Sequence, residues 1–358
     1  MSEPSQEEAV SIVSSVFEIK SQTETINMIQ FEIDDANFKS KFVHVAKKLE
    51  ARNMVARLER AGSRTFILVN KLSPPKLRRA WVPKVLFVVV IAFTMIDGYF
   101  RTESTNSIIN IGDPFEMAVL YTVSLIGILG VHESGHLIAA KMHKIKTTWP
   151  YFIPGIPVFG IPTFGALIMS RGLTVNRDIL FDVAIAGPIA GLVIAVAVSI
   201  FGAYISPTIP ITEAEELFEG SQLIDMNENI IMIGTLAMFG KLGEDIEVLM
   251  TPVLFAAWLG FLITFLNLLP AWQLDGGHMA RAILGRKWHR IATYASIGLL
   301  AVLGYTIMAI FILMFFVRSP DARPLDDISP LSASRKKIFL VVIVLAILCA
   351  PLPTWILP

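Results

Sequence analysis

The chain has 358 residues, 54% hydrophobic and only 17% charged, with a formal net charge of +0. A soluble domain carries about 25% charged residues, so the deficit points to several membrane spans of about 20 apolar residues each, and the zero net charge offers no field for nucleic acid. The single cysteine, Cys349, excludes an intrachain disulfide and a thiolate zinc cluster.

Residues 1–78 read as a small cytoplasmic α+β unit. The first eight residues are acidic and no apolar core follows them, so a signal peptide is not expected. Residues 7–17 have helical spacing, and 25–33 alternate apolar and polar like a strand. Phe38, Phe42, Val45, Ala46 and Leu49 recur at threes and fours, which predicts an amphipathic helix over 38–52. Residues 54–59 and 65–70 flank the turn Arg60-Ala61-Gly62-Ser63-Arg64. The order is β-α-β-β. Nothing in it carries chemistry, which leaves a regulatory or interaction role.

Leu72-Ser73-Pro74-Pro75-Lys76 reads as a linker to a membrane part over 79–358. Lys76, Arg78, Arg79 and Lys84 lie before and at the start of the first span, about 81–100, while the far side holds Asp97, Arg101, Glu103 and Asp113. The positive-inside rule therefore puts the N-terminus in the cytoplasm. Asp113-Pro114-Phe115-Glu116 is a helix start, opening a second span, 115–142, that ends in Lys141, Lys144 and Lys146. In its second half stand His132, Glu133 and His136. Two histidines four apart share a helical face and can ligate one Zn²⁺, while Glu133 stays free as a general base. The bland alternative is a polar helix-packing cluster, but polar groups are expensive in lipid and so usually functional.

Residues 149–170 hold Pro150, Pro154, Pro157 and Pro162 with glycines at 155, 160 and 165, a density that no helix survives. They stay apolar, and irregular backbone at membrane depth survives only against protein or a water-filled cavity. A re-entrant β-hairpin or a membrane-surface loop fits. The third span, 179–205, contains Gly187-Pro188-Ile189-Ala190-Gly191, a small-x-x-x-small spacing suited to close helix packing. Residues 206–250 form an acidic exterior loop with an apolar stretch, 230–239.

The fourth span, 252–269, leads into Pro270 and then Asp275-Gly276-Gly277, with Arg281, Arg286, Lys287 and Arg290 following. This end is cytoplasmic too, so Asp275 can reach a zinc held by His132 and His136; the alternative is a plain turn aspartate. Asn267 either serves the site or hydrogen-bonds a neighbouring helix. Spans at 291–317 and 338–357 complete a polytopic α-helical membrane protein of about six helices. One conflict remains: six spans put loop 318–337 outside, although it holds Arg318, Arg323, Arg335, Lys336 and Lys337.

At His132-Glu133-Ser134-Gly135-His136 and Leu274-Asp275-Gly276-Gly277 the sequence resembles the site-2 protease family of intramembrane zinc metalloproteases, of the archaeal, bacterial and plastid type. Ala186-Gly187-Pro188 and Thr163-Phe164-Gly165-Ala166 agree, and the resemblance covers roughly 80–317. It implies His132, His136 and Asp275 as zinc ligands and Glu133 as catalytic base, in the cytoplasmic half of the bilayer. It also implies that the hairpin, with Phe164, Gly165 and Ala166, holds substrate, and that Asn267 sits near it. The implied activity is hydrolysis of a peptide bond in or near a transmembrane helix of a single-span protein. The alternative is a non-proteolytic zinc protein of the membrane, a transporter or a pseudo-protease binding module.

Overall fold

The computed structural model describes residues 6–25, 28–35, 37–72, 79, 81–156, 161–167, 173–218, 227–318 and 323–351. Most of the expected linker lies outside them. The N-terminal part runs α1 (Gln6–Ser14), β1 (Ile19–Thr25), β2 (Met28–Ile33), α2 (Phe38–Glu50), β3 (Met54–Ala61) and β4 (Arg64–Lys71). Its strands form an antiparallel sheet in the order β1-β2-β4-β3. Phe42, Val45 and Leu49 of α2 share a buried core with Phe31, Ile67 and Val69 of the sheet, as their helical spacing predicts. The hydrophobic pattern missed β1. That strand is exposed along all but its first residue, so it has no apolar alternation and is defined by its ladder to β2 alone.

Among the described residues, three helices are long and apolar enough to cross a membrane: α3 (Val82–Asn106), α4 (Pro114–Met142) and α5 (Arg177–Ile205). The α4 start is as expected, with Asp113 Oδ1 accepting from the amides of Phe115 and Glu116 at 2.9 and 3.0 Å. Asp97, counted in the sequence among the far-side charges, has partners inside the bundle. It is buried within α3, accepting from Tyr121 Oη at 2.7 Å and Arg101 Nε at 2.8 Å. Between α4 and α5, β5 (Tyr151–Ile156) and β6 (Ile161–Leu167) pair as an antiparallel hairpin. Beyond α5 come β7 (Thr208–Pro210), α6 (Ile211–Phe218), α7 (Ile230–Met238) and β8 (Ile246–Val248). The apolar stretch of α7 buries Met232 and Leu236 against the helices, and Thr235 shares a hydrogen bond of 2.7 Å with Ser199 of α5.

The last four helices are α8 (Pro252–Leu268), α9 (Asp275–Val302), α10 (Thr306–Arg318) and α11 (Ala333–Cys349). Residues 291–317, expected as one span, are divided between two helices. The chain reverses at Gly304, whose φ of +87° no right-handed helix allows, and α10 runs back along α9, with Tyr294 and Phe316 ring to ring at 5.5 Å. A second break interrupts α9 at Gly285 (φ 74°, ψ −178°). After it the helix returns past the start of the element, where Trp272 N donates to Thr293 Oγ1 at 3.1 Å and the Trp272 carbonyl meets His289 Nε2 at 3.1 Å.

The segment after α10 therefore comes back to the end of the bundle where α5 begins. Leu325 N donates to the Thr174 carbonyl and Asp326 N to that of Val175, at 2.9 and 2.7 Å. The N-terminal sheet sits there as well: Leu58 N of edge strand β3 donates to the Leu325 carbonyl at 2.9 Å. Val175, Ile179 and Leu325 join its core, and Lys39 of α2 reaches Asp178 at 2.8 Å.

Candidate metal centre

Helical spacing puts His132 and His136 on one face of α4, four residues and about 400° apart. Their Nε2 atoms lie 3.1 Å from each other, and Asp275 Oδ2 lies 3.3 Å from both. A tetrahedral zinc with bonds of 2.0–2.1 Å spaces its ligand atoms by about 3.3–3.4 Å. The triangle of two nitrogens and one carboxylate oxygen thus has the size and the donor chemistry that zinc requires. It forms because α8 stops at Leu268 and the chain turns through Pro270 and Trp272, the latter at φ 44°. Asp275 then opens the first turn of α9, where the helix dipole favours a carboxylate.

Glycines let the three helices close around this triangle. A β-carbon on Gly276 would lie 2.1 Å from the Leu268 carbonyl oxygen, and one on Gly277 2.3 Å from that of Ala271, so the turn can fold only over bare backbone. On the α4–α5 face a β-carbon at Gly135 would meet the Ala186 carbonyl oxygen at 2.4 Å. One at Gly187 would meet His136 Nε2 at 2.1 Å, and one at Gly191 would meet His132 Cβ at 2.9 Å. The small-x-x-x-small segment expected as a helix-packing surface is that, and it is also the wall behind the imidazoles. Val183 of α5 adds what no motif announced. Its carbonyl accepts from His136 Nδ1 at 2.7 Å, which fixes the tautomer and leaves Nε2 unprotonated toward the triangle.

Glu133 is buried beside the pair and lines a groove of about 650 Å³. The groove runs between α3, α4 and the start of β5, past Phe87, Ile126, Leu137 and Phe152. Of the other expected residues, Ala166 faces Phe152 across the hairpin and, like Phe87 and Ile126, packs against the buried cluster that holds Phe152. Gly165 takes φ +95° and its amide donates to Thr163 Oγ1 at 3.1 Å, and Phe164 stands between them in β6. Asn267 is half-buried in the last turn of α8, next to Leu268, whose carbonyl underlies Gly276. The geometry unites His132, Glu133, His136 and Asp275, and Phe152 of the hairpin lines the same groove as Glu133. Residues missed by the sequence reading are Val183 and, farther out, Asp327. A backbone acceptor and a partner 46 residues from its arginine leave no local pattern.

The model of peptidase family M50 matches residues 120–311, more than half of the chain. The chain belongs to this family. The match begins in α4 and ends in α10, so it takes in both halves of the triangle and the helices between them. Among curated proteins it is similar to the probable zinc metalloprotease EGY2, chloroplastic, of Arabidopsis thaliana, at 32% identity over 63% of this chain and 40% of the relative. It is also similar to the probable zinc metalloprotease EGY1, chloroplastic, of the same plant, at 29% identity over 69% and 46%. A third relative is the probable zinc metalloprotease EGY3, chloroplastic, of Oryza sativa subsp. indica, at 29% over 63% and 40%. The chain thus spans less than half the length of these relatives. No solved structure matches it.

Proposed function

We propose that this M50 protein is a zinc-dependent endopeptidase that cuts a peptide bond in or near a transmembrane helix of single-span membrane proteins. The observation that carries the reading is the triangle of His132, His136 and Asp275, with ligand atoms 3.1–3.3 Å apart and buried Glu133 in the adjoining groove. Zinc, when bound, would supply Lewis-acid polarisation of the scissile carbonyl and a more acidic water. The rest belongs to the chain. His136 is held in one tautomer by Val183, and Asp275 offsets charge in a site that is costly to charge. Glu133 takes a proton from the attacking water and returns it to the leaving amine. A pure zinc carrier has no use for such a base, and nothing favours the transporter or binding-module alternative.

A helical substrate hides its carbonyls in hydrogen bonds four residues apart and must unwind before attack. The β5–β6 hairpin, in this reading re-entrant, offers strand edges that replace those bonds, with Phe164, Gly165 and Ala166 along one strand and Asn267 near the reacting segment. The domain division at 78/79 and the cytoplasmic N-terminus belong to the same proposal. So does a topology of five crossings, by α3, α4, α5, α8 and α11, with α9 and α10 dipping in and out from the cytoplasmic side.

The test is Glu133→Gln in the purified full chain. Zinc content should stay at the wild-type level while cleavage of a single-span helical reporter falls at least about 100-fold. Unchanged cleavage removes the mechanism.

A further inference from the structure

Asp275 stands on a piece of helix that its neighbours do not orient by continuity. The piece, 275–284, lies between Trp272 at φ 44° and Gly285 at φ 74°, two left-handed positions through which no right-handed helix propagates. It is therefore a rigid element hinged at both ends. Met279 and Ala282 pack with Leu180, Phe181 and Ala184 of α5 and with Leu331 and Val342. Apolar contact of this kind has no direction of its own. The directional grip is Arg281, one of the largest fully buried side chains. Its Nη1 and Nη2 fork onto Asp327 Oδ1 and Oδ2 at 3.1 and 2.5 Å, a bidentate geometry that fixes both distance and angle. Arg177, at the start of α5, holds the same residue through Nε at 3.2 Å and through the Asp327 carbonyl at 2.6 Å.

Asp327 directly follows the two residues that extend the N-terminal sheet. Leu325 accepts from Leu58 of β3 and donates to Thr174, and Asp326 donates to Val175. Lys39 of the same N-terminal unit donates to the Pro330 carbonyl at 2.9 Å and pairs with Asp178. An unbroken chain of hydrogen bonds and ion pairs thus runs from the sheet through residues 325–327 to Arg281, and from there along one rigid piece to Asp275.

We propose that the Asp327–Arg281 pair is a latch through which the N-terminal unit controls closure of the metal site. With the unit seated, the 275–284 piece presents its carboxylate to both imidazoles; with the latch undone it swings on its two hinges, and the site keeps two protein ligands instead of three. Asp327 and Arg281 are positioning residues on this view, and the N-terminal unit is a regulator of the zinc site. The inference rests on reading His132, His136 and Asp275 as that site. Breaking the pair from the aspartate side takes a carboxylate away from a buried guanidinium, which is strongly destabilising. Arg281→Met keeps the volume, removes the charge, and leaves Asp327 its contacts with Arg177.

Co²⁺ binding to the full chain in detergent reads the latch without any substrate. Arg281→Met and Lys39→Glu should each weaken Co²⁺ affinity at least about tenfold, in the range usual for groups that orient metal ligands, and lower the intensity of the visible absorption band toward that of Asp275→Ala. Asp327→Glu, which keeps the fork, should retain more affinity than Arg281→Met, and Arg281→Met should add no further loss in an Asp275→Ala background. Wild-type affinity and spectrum in a folded, monodisperse Arg281→Met protein overturn the latch. Unchanged affinity in Asp275→Ala overturns the reading of the metal site itself, a distinguishable result.

Discussion

A β-carbon on Gly187 would stand 2.1 Å from Nε2 of His136, nearer than any non-bonded contact allows. Alanine there is a better helix former than glycine by about 1 kcal/mol, so Gly187→Ala leaves α5 intact and acts on the imidazole. The ring must rotate out of the triangle or lose its hydrogen bond to Val183. Zinc retained after dialysis against a chelator should drop at least about tenfold while the unfolding temperature holds or rises; undiminished zinc removes the wall. Part of this site was legible in the residues alone. His132, Glu133 and His136 declare themselves because helical spacing converts sequence distance into adjacency, and Asp275 does so because Pro270 and Gly276-Gly277 mark where the chain must turn. The purpose of Gly187 was half legible: its spacing announces a close approach without saying that a ring rather than a neighbouring backbone fills the gap. The partners of Asp97 were not legible, because composition along a helix does not announce a buried contact with Tyr121.

At the scale of elements, apolar runs located α3, α4, α5 and α8, and proline and glycine density located the β5–β6 hairpin. They failed where the chain reverses without leaving apolar surroundings. Residues 291–317 are apolar on both sides of Gly304, and hydropathy carries no sign for direction; only the positive φ of one glycine makes two helices of them. Any other L-residue in that conformation costs about 1–2 kcal/mol. Gly304→Ala should therefore lower the thermal unfolding midpoint of the purified protein, although nothing lies within 4 Å of a β-carbon there. Gly298 is the internal control. It has equally open space on regular helical backbone, and Gly298→Ala should raise the midpoint. Equal shifts in both variants would mean that the reversal at 304 does not depend on its backbone conformation.

The whole molecule turns on that same reversal. Read as six spans, the chain leaves Arg318, Arg323, Arg335, Lys336 and Lys337 on the exterior side, against the positive-inside rule. With α10 doubling back along α9, the segment after it rejoins Thr174, Val175 and the N-terminal sheet, and Arg335 forks onto Asp182 near the start of α5 at 2.6 Å. The segment then stands at the same end of the bundle as the end of α4, where Lys47 of the N-terminal unit reaches the His143 carbonyl at 2.9 Å and His143 meets Asp182 at 3.1 Å, and on the proposed topology the charge conflict is removed. On that topology α11 is the fifth crossing. Three exposed serines test it with minimal change of shape: Ser14 in the N-terminal unit, Ser107 just after α3, and Ser334 at the start of α11. The native Cys349 is buried and contributes little background. In sealed vesicles of one orientation, an impermeant maleimide should label Ser14→Cys and Ser334→Cys from the same side and Ser107→Cys only from the other. Labelling of Ser334→Cys together with Ser107→Cys would restore the sixth span. It would also detach residues 325–327 from the N-terminal sheet, because a segment on the far side of the bilayer cannot pair with β3.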